Sequence, residues 1–277
     1  MLPRRTRGQP ARSLPSPDVS GTCLGALLDQ RREPILNVPA VVVALLLILG
    51  LVHGVREYVL SDDADRTLIW SLAFVPARYD TTVLTDGVLP GGWAADLWTF
   101  FTYALLHADI THLGFNAVWL LAFASPVARR FGAGRFTLFF LVTVGAGALV
   151  YLVAHHGEIA PMVGASAGIS GMMGAAARFA FEPGGSLDMW HGDRTQADHV
   201  PAAPLLAAFR NPRVVAFVGV WFGLNLLFGL GSLSIAGANQ AVAWEAHLGG
   251  FLAGLLLFSA FDPVRRAPVA EDRPTYH

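Results

Sequence analysis

The sequence predicts an all-α membrane protein in which six transmembrane helices form a bundle, with both termini in the cytoplasm. Three observations carry this prediction: an apolar composition, long stretches without charged residues, and arginines that cluster on alternate connections. Hydrophobic residues make up 54% of the 277-residue chain and charged residues 14%, against about 25% charged residues in ordinary soluble domains. So few charges cannot supply the polar surface of a water-soluble protein, and the expected solvent is a lipid bilayer.

Six stretches without Asp, Glu, Lys or Arg are long and apolar enough to be membrane spans. A transmembrane helix needs about 20 predominantly apolar residues, and the last stretch reaches this length once the apolar residues before Glu245 are added. In chain order the stretches cover residues 35–55, 110–128, 136–157, 159–177, 214–244 and 246–261. They predict a six-helix domain over residues 35–262, a disordered cytoplasmic tail over 1–34 and a second cytoplasmic tail over 263–277.

The arginine residues predict the orientation of these helices. Connections rich in Arg or Lys stay in the cytoplasm. If the N-terminus is cytoplasmic, fourteen arginines of the two tails and of the connections after spans two and four lie on that side: Arg4, Arg5, Arg7, Arg12, Arg31, Arg32, Arg129, Arg130, Arg135, Arg194, Arg210, Arg213, Arg265 and Arg266. This arrangement also places the C-terminus in the cytoplasm and describes an integral, multi-pass membrane protein.

The overall charge and the cysteine count argue against several classes of function. A net charge of −1 generates no field that would attract nucleic acid. The one cysteine, Cys23, cannot form an internal disulfide bond or a thiolate metal cluster. We therefore expect the lipid bilayer as a partner, and no nucleic acid, metal or cofactor.

Four polar residues lie inside the predicted spans at a similar depth. They are His112 and Asn116 in span two, Ser166 in span four and His247 in span six. The helical rise places them roughly 20–26 Å above the inner boundary of a hydrocarbon core about 30 Å thick. Polar groups inside spans are costly and mark functional sites by default. Three spans that run in the same direction thus bring polar groups to one layer below the outer face.

Ser166 and His247 have the chemistry of a nucleophile and its base. A serine hydroxyl is a poor nucleophile until a neighbouring base takes its proton, and histidine is the side chain that most often does so. The segment Gly164-Ala165-Ser166-Ala167-Gly168 places Ser166 at a helix N-terminus. Free backbone N–H groups and the helix dipole favour a developing oxyanion there.

Spans two and six supply supporting residues. His112 and Asn116 are four residues apart and share a helix face, so both are candidate donors to an oxyanion. His107 lies about 140° away round an ideal helix and is not expected on that face. Gly250 and Gly254 form a GxxxG pattern, which lets helices approach closely.

The residues alone leave other interpretations open. A serine in a membrane helix often bonds its own backbone, and Asn116 or Asn225 is also explained by an interhelical hydrogen bond, the interpretation that we prefer for Asn225. A metal-dependent membrane protease and a transporter are the rival classes of function. However, the sequence has no HExxH motif, and its polar residues cluster near the outer face rather than at the midplane.

Three motifs, in this order on spans two, four and six, resemble those of the rhomboid family of intramembrane proteases. They are His107-x4-His112-x3-Asn116, Gly164-Ala165-Ser166-Ala167, and Ala246-His247-Leu248-Gly249-Gly250 followed by Gly254. The resemblance extends from about Ile35 to Phe261, and the stretch Phe74-Val75-Pro76-Ala77-Arg78 is similar to the outer loop of bacterial members.

The resemblance implies a rhomboid-like bundle that cleaves transmembrane proteins within or near their membrane segment, in a bacterial cytoplasmic membrane. It implies a dyad of Ser166 as nucleophile and His247 as base. It also implies an oxyanion site from the Ser166 backbone N–H, His112 and Asn116, and structural roles near the site for His107, Gly164, Gly250 and Gly254. The alternative is a catalytically inactive relative that binds membrane clients; such relatives lack a dyad residue, and this chain keeps both.

Overall fold

The computed structural model describes residues 38–84, 89–188, 197–229 and 242–264. Throughout these ranges the regular elements are helices, and the β-structure found there is one isolated bridge between Phe74 and Met162. The predicted all-α class is therefore confirmed. The α-helices are α1 (Ala40–Tyr58), α2 (Asp62–Leu72), α3 (Gly92–Thr102), α4 (Ile110–Trp119), α5 (Ser125–Phe131), α6 (Ala133–Ala154), α7 (Ser166–Ala176), α8 (Leu205–Ala208), α9 (Pro212–Gly229) and α10 (Trp244–Phe261).

Among the described residues, five helical segments are long and apolar enough to cross a membrane. One of them combines α4, a π-helical segment at Leu120–Ala124 and α5 into a continuous stretch. The five segments are Ala40–Tyr58, Ile110–Phe131, Ala133–Ala154, Pro212–Gly229 and Trp244–Phe261. They coincide with five of the six predicted spans, and large apolar side chains such as Leu47, Leu51 and Leu256 are exposed on them, as contact with lipid requires.

The predicted fourth span has a different form. Its helix, α7, contains 11 residues, and at a rise of about 1.5 Å per residue it is too short to cross a hydrocarbon core about 30 Å thick. α7 packs against α6 and α10, and its residues after Ser166 are all buried. The count of six spans and the cytoplasmic position of both termini stay predictions. The tail over residues 1–34 and nearly all of the tail over 263–277 lie outside the described residues.

Glycines set the distance between α7 and α10. A Cβ atom added to Gly250 would overlap the backbone carbonyl of Ala167, and one added to Gly254 would overlap that of Gly171. The two backbones are therefore in direct contact along the GxxxG stripe, as the spacing of these glycines predicts. This contact places the first turn of α10 beside the first turn of α7.

The connection between α1 and α4 is folded rather than irregular. α2 is capped by Ser61, whose hydroxyl accepts a hydrogen bond from the N–H of Ala64. The Phe74 ring packs in an aromatic cluster with Tyr79, Phe100, Tyr103 and Tyr151. The Phe74–Met162 bridge contains two backbone hydrogen bonds of 3.1 and 2.8 Å. It fixes the segment that leads into α7.

Buried arginines tie together the opposite end of the bundle. The Arg130 guanidinium is fully buried, donates to both carboxylate oxygens of Asp262 at 2.8 and 2.9 Å, and lies 4.6 Å from the ring centroid of Phe179. Arg178 donates to the carbonyls of Ala203 and Leu255. Charge-assisted bonds of this kind are stronger than neutral ones, so they hold α5, α7 and α10 together at the end away from Ser166.

Candidate active site

Ser166 is the first residue of α7, as the sequence predicts. Gly164, two residues earlier, has a φ of +122°, a left-handed conformation that favours glycine. Its N–H donates to the carbonyl of Tyr103 at 3.0 Å. A Cβ on Gly164 would lie 2.8 Å from Cε1 and Nε2 of His112 and 3.5 Å from Oγ of Ser166. The glycine thus allows both the turn into α7 and the close approach of His112 to Ser166.

The Ser166 hydroxyl and the His247 imidazole form a hydrogen bond. Oγ of Ser166 lies 2.6 Å from Nε2 of His247, which is in the first turn of α10. The backbone N–H groups in the first turn of α7 have no carbonyl partner within the helix, and they lie at the positive end of its dipole. The arrangement puts a hydroxyl, a base and N–H donors at one point. Such a combination can activate an oxygen nucleophile and stabilise an anion that forms beside it.

The other ring nitrogen of His247 contacts Asn225 from α9. Nδ1 lies 2.5 Å from Oδ1 of Asn225, and the amide nitrogen of Asn225 donates to the carbonyl of Trp221 at 2.8 Å. The sequence interpretation of Asn225 as an interhelical hydrogen bond is therefore correct, but its partner was not foreseen. Asn225 lies about 20 Å along the helix from Pro212, at the level of the other polar residues, and this shared depth is the sequence signal for the contact.

His112 and Asn116 lie on α4, as predicted. Asp109 caps the helix by accepting a hydrogen bond from the N–H of His112 at 2.8 Å. Nδ1 of His112 accepts from the N–H of Ala108 at 3.4 Å, so this tautomer leaves Nε2 as a donor on the side that faces Gly164. Asn116 is buried and donates one amide hydrogen to the carbonyl of His112 at 2.9 Å. Its second amide hydrogen is available for an oxyanion by this assignment.

His107 lies outside α4, which begins at Ile110, so the helical angle that separated it from His112 does not apply. Its ring is fully buried and packs edge-on against the ring of His112, with 5.1 Å between the centroids. Its carbonyl accepts a hydrogen bond from Arg56 at 2.8 Å, and Arg56 also pairs with Asp65 at 2.7 Å. His107 therefore connects α1 and α2 to the back of the His112 ring.

Throughout the described ranges, no group of three or more His, Cys, Asp or Glu side chains has the arrangement of a metal site. The imidazoles near Ser166 are oriented by hydrogen bonds and ring packing instead.

Comparisons with known proteins agree with the motifs. The family profile described as "Rhomboid domain" matches residues 94–261. The chain is 38% identical to human Rhomboid-related protein 3 over 81 residues, which are 29% of this chain and 20% of that protein. It is 34% identical to Rhomboid protease GluP of Bacillus subtilis over 88 residues, 32% of this chain and 16% of that protein. It is 29% identical to Rhomboid protease GlpG of an Enterobacter species over 86 residues, 31% of this chain and 29% of that protein. The aligned region thus spans less than a third of each of these relatives.

Proposed function

The chain belongs to the rhomboid family, and on that premise we propose that it is an intramembrane serine endopeptidase whose substrates are transmembrane proteins. The observation that carries the proposal is the 2.6 Å contact between Oγ of Ser166 and Nε2 of His247 at the N-terminus of a helix enclosed by others. The printed names of two relatives, GluP and GlpG, are those of proteases. This chain keeps both residues that a catalytic dyad needs.

The first step is attack on the scissile carbonyl. His247 accepts the hydroxyl proton on Nε2 while Oγ of Ser166 bonds to the carbonyl carbon, so that the carbonyl oxygen becomes an oxyanion. The backbone N–H of Ser166, Nε2–H of His112 and the amide of Asn116 are the proposed donors to this oxyanion. Donors that are held in place before the reaction stabilise the charge without reorganisation during the step.

The second half of the reaction releases the two products. Protonated His247 gives its proton to the amine of the leaving peptide as the carbon–nitrogen bond breaks, and an acyl-enzyme remains on Ser166. Water then attacks the ester, with His247 again as the base, and the Ser166 hydroxyl is regenerated. Each proton taken by His247 is returned, so the cycle requires no metal or cofactor.

The position of the site restricts the substrate class. On the predicted spans, the helical rise puts Ser166 several ångströms below the outer membrane face. The helices that carry the site lie among segments apolar enough to span a bilayer. A soluble peptide would have to leave water to reach such a site, whereas a transmembrane protein is already at that depth. We therefore expect cleavage within or near the membrane segment of a substrate, in a bacterial cytoplasmic membrane.

The test is cleavage of a model transmembrane substrate by the purified protein in liposomes. Ser166→Ala and His247→Ala should each abolish cleavage while the protein stays folded. Ser170→Ala is the matched control, since Ser170 is also a buried serine of α7, one turn further on, and it should cleave like the wild type. Cleavage by Ser166→Ala would overturn the proposal. Binding of the substrate without cleavage by the wild type would favour the inactive, client-binding alternative.

A further inference from the structure

Asn225 has only one amide orientation that satisfies both of its contacts. Its Nδ2 lies 2.8 Å from the carbonyl oxygen of Trp221, and its Oδ1 lies 2.5 Å from Nδ1 of His247. Rotating the amide by 180° would set its oxygen against the carbonyl oxygen of Trp221, two acceptors without a proton between them. The Trp221 carbonyl therefore fixes Oδ1 as the atom that faces His247.

This orientation also fixes the protonation of His247. Oδ1 is an acceptor, so Nδ1 must carry the proton, and a neutral imidazole then has Nε2 free to accept. That is the tautomer that can take the proton of the Ser166 hydroxyl, which lies 2.6 Å from Nε2. The opposite tautomer would direct an N–H at the hydroxyl and leave Oδ1 without a donor. One hydrogen bond from α9 thus selects the form of His247 that can act as a base.

A second contact holds α9 against α10 one turn away. Trp221 is four residues before Asn225, and Phe251 is four residues after His247, so the two pairs stack along the antiparallel helices. The Trp221 and Phe251 rings lie 4.4 Å apart with 21° between their planes, and both side chains are buried. The hydrogen bond is therefore supported by packing on the side away from the outer face.

A neutral amide suits this position better than a carboxylate does. An acid within the span would carry a charge that a bilayer interior disfavours, whereas an amide oxygen orients the imidazole without adding one. His112 is a titratable neighbour of the dyad, since its Nε2 and Oγ of Ser166 lie 2.8 and 3.5 Å from the Cβ position of Gly164.

We propose that Asn225 is a positioning residue, which holds His247 in the tautomer and orientation required by Ser166, so that the proposed dyad works with an amide as its third member. This inference rests on the proposed function. Asn225 acts through the base, by its contact with Nδ1 of His247, so its loss should lower kcat and leave KM unchanged.

The experiment compares three variants in the liposome cleavage assay over a range of pH. Asn225→Leu keeps the approximate side-chain size and removes the acceptor for Nδ1 of His247. We expect its kcat to fall about tenfold, which is the loss that corresponds to a net hydrogen bond of ordinary strength. Its acid limb in the kcat/KM profile should move to lower pH, because the imidazolium form loses a stabilising acceptor. Asn225→Asp keeps an acceptor for Nδ1 but sets a second acceptor against the Trp221 carbonyl, so it should recover only part of the kcat lost in Asn225→Leu, and its acid limb should move to higher pH. Trp221→Leu is the packing control, which keeps the backbone carbonyl and should lower Tm without moving the pH profile.

A measurement independent of cleavage separates this inference from the proposed function. Nitrogen-15 NMR of labelled histidine should report a single Nδ1–H tautomer for His247 in the wild type and a mixture of tautomers in Asn225→Leu. If the wild type does not cleave but shows this dependence, the proposed function fails and the positioning contact stands. If Asn225→Leu keeps the wild-type kcat, pH profile and tautomer, the inference is overturned. The inference is also overturned if Asn225→Leu differs from the wild type only in Tm, which is the result expected for the packing control Trp221→Leu.

Discussion

Replacement of Gly250 by alanine should separate the proposed nucleophile from its base. The added Cβ would overlap the carbonyl of Ala167, which is the residue after Ser166, while Gly250 is three residues after His247. Non-bonded carbon contacts are optimal at about 3.5–4.0 Å, so α7 and α10 would have to move apart by about 1 Å or more. The present 2.6 Å contact between Ser166 and His247 would then exceed the length of a hydrogen bond.

The expected effect has a structural and a catalytic part. Overpacking in a close-packed interior costs about 1–3 kcal/mol, which should appear as a lower Tm. Loss of an aligned general base costs about 10²–10⁴ in rate, so kcat should fall by more than the unfolded fraction explains. Gly254→Ala overlaps the carbonyl of Gly171 one turn further from the dyad, and it should lower Tm similarly with a smaller loss of kcat.

The assay is kcat for a model transmembrane substrate at a temperature where each variant is folded, with Tm measured in the same detergent. Gly219→Ala is the matched control, since a Cβ there meets no atom within 4 Å and alanine is favoured over glycine in a helix. It should keep wild-type activity. If Gly250→Ala had the wild-type kcat and Tm, the argument that glycine contact sets the dyad distance would be refuted.

Three further predictions concern residues around the site and the orientation of the chain. His112→Ala and Asn116→Ala should each lower kcat by about 10²–10³, the usual cost of a lost oxyanion donor, without changing Tm. His107→Ala should instead lower Tm and reduce activity only through unfolding. A wild-type kcat in Asn116→Ala would contradict this division between oxyanion donors and a structural histidine. Arg130→Met leaves the carboxylate of Asp262 buried without its ion-pair partner, so it should cost about 3–5 kcal/mol of stability, measured by thermal unfolding. The folded variant should keep the wild-type kcat. An unchanged Tm would contradict the stabilising role of this buried ion pair. A reporter fused after residue 277 should be cytoplasmic and one inserted near His156 should be outside, and the reverse pattern would invalidate the depth argument.

Most of the helices could be predicted because a bilayer leaves the backbone few choices. A lipid-facing segment must satisfy its N–H and C=O groups internally, so an apolar stretch without charges, such as that over residues 136–157, becomes a helix. α7 is shorter than the apolar stretch over residues 159–177, and protein rather than lipid surrounds its buried residues. Its glycines, including Gly168 and Gly174, were a sign of this, since a Cβ on either one would overlap a neighbouring helix.

The helices between α1 and α4 could not be predicted from hydrophobicity alone, and the structure describes this connection apart from residues 85–88. Its two helices depend on tertiary contacts, such as the hydrogen bond from the Trp98 indole to the carbonyl of Ser71 at 2.8 Å and the aromatic cluster around Phe74. Pairings of this kind join residues far apart in sequence and leave no periodic pattern. The start of α4, in contrast, has a local cause, because Asp109 is a preferred capping residue and accepts a hydrogen bond from the N–H of His112, three residues later.

Depth and side-chain chemistry predict the pair of Ser166 and His247 from the sequence, but they do not predict the contact between Asn225 and His247. Ser166 and His247 lie on predicted spans at matching depths, and the structure brings their side chains to hydrogen-bonding distance. Asn225 has the same depth but was assigned to helix packing, because an amide in a membrane helix commonly serves that purpose. A depth inferred from the sequence does not show which of several polar side chains at one level Asn225 contacts, so its contact with His247 became known only from the structure.

The most direct test of the central claim is covalent labelling of the protein by a fluorophosphonate in liposomes, with the modified residue located by mass spectrometry. A serine reacts with this reagent when a base activates its hydroxyl. The wild type and Ser170→Ala should be labelled on Ser166, and His247→Ala should be folded but not labelled. Labelling of Ser166 at the wild-type rate in His247→Ala, or no labelling of Ser166 in the folded wild type, would contradict the claim that Ser166 and His247 act as nucleophile and base.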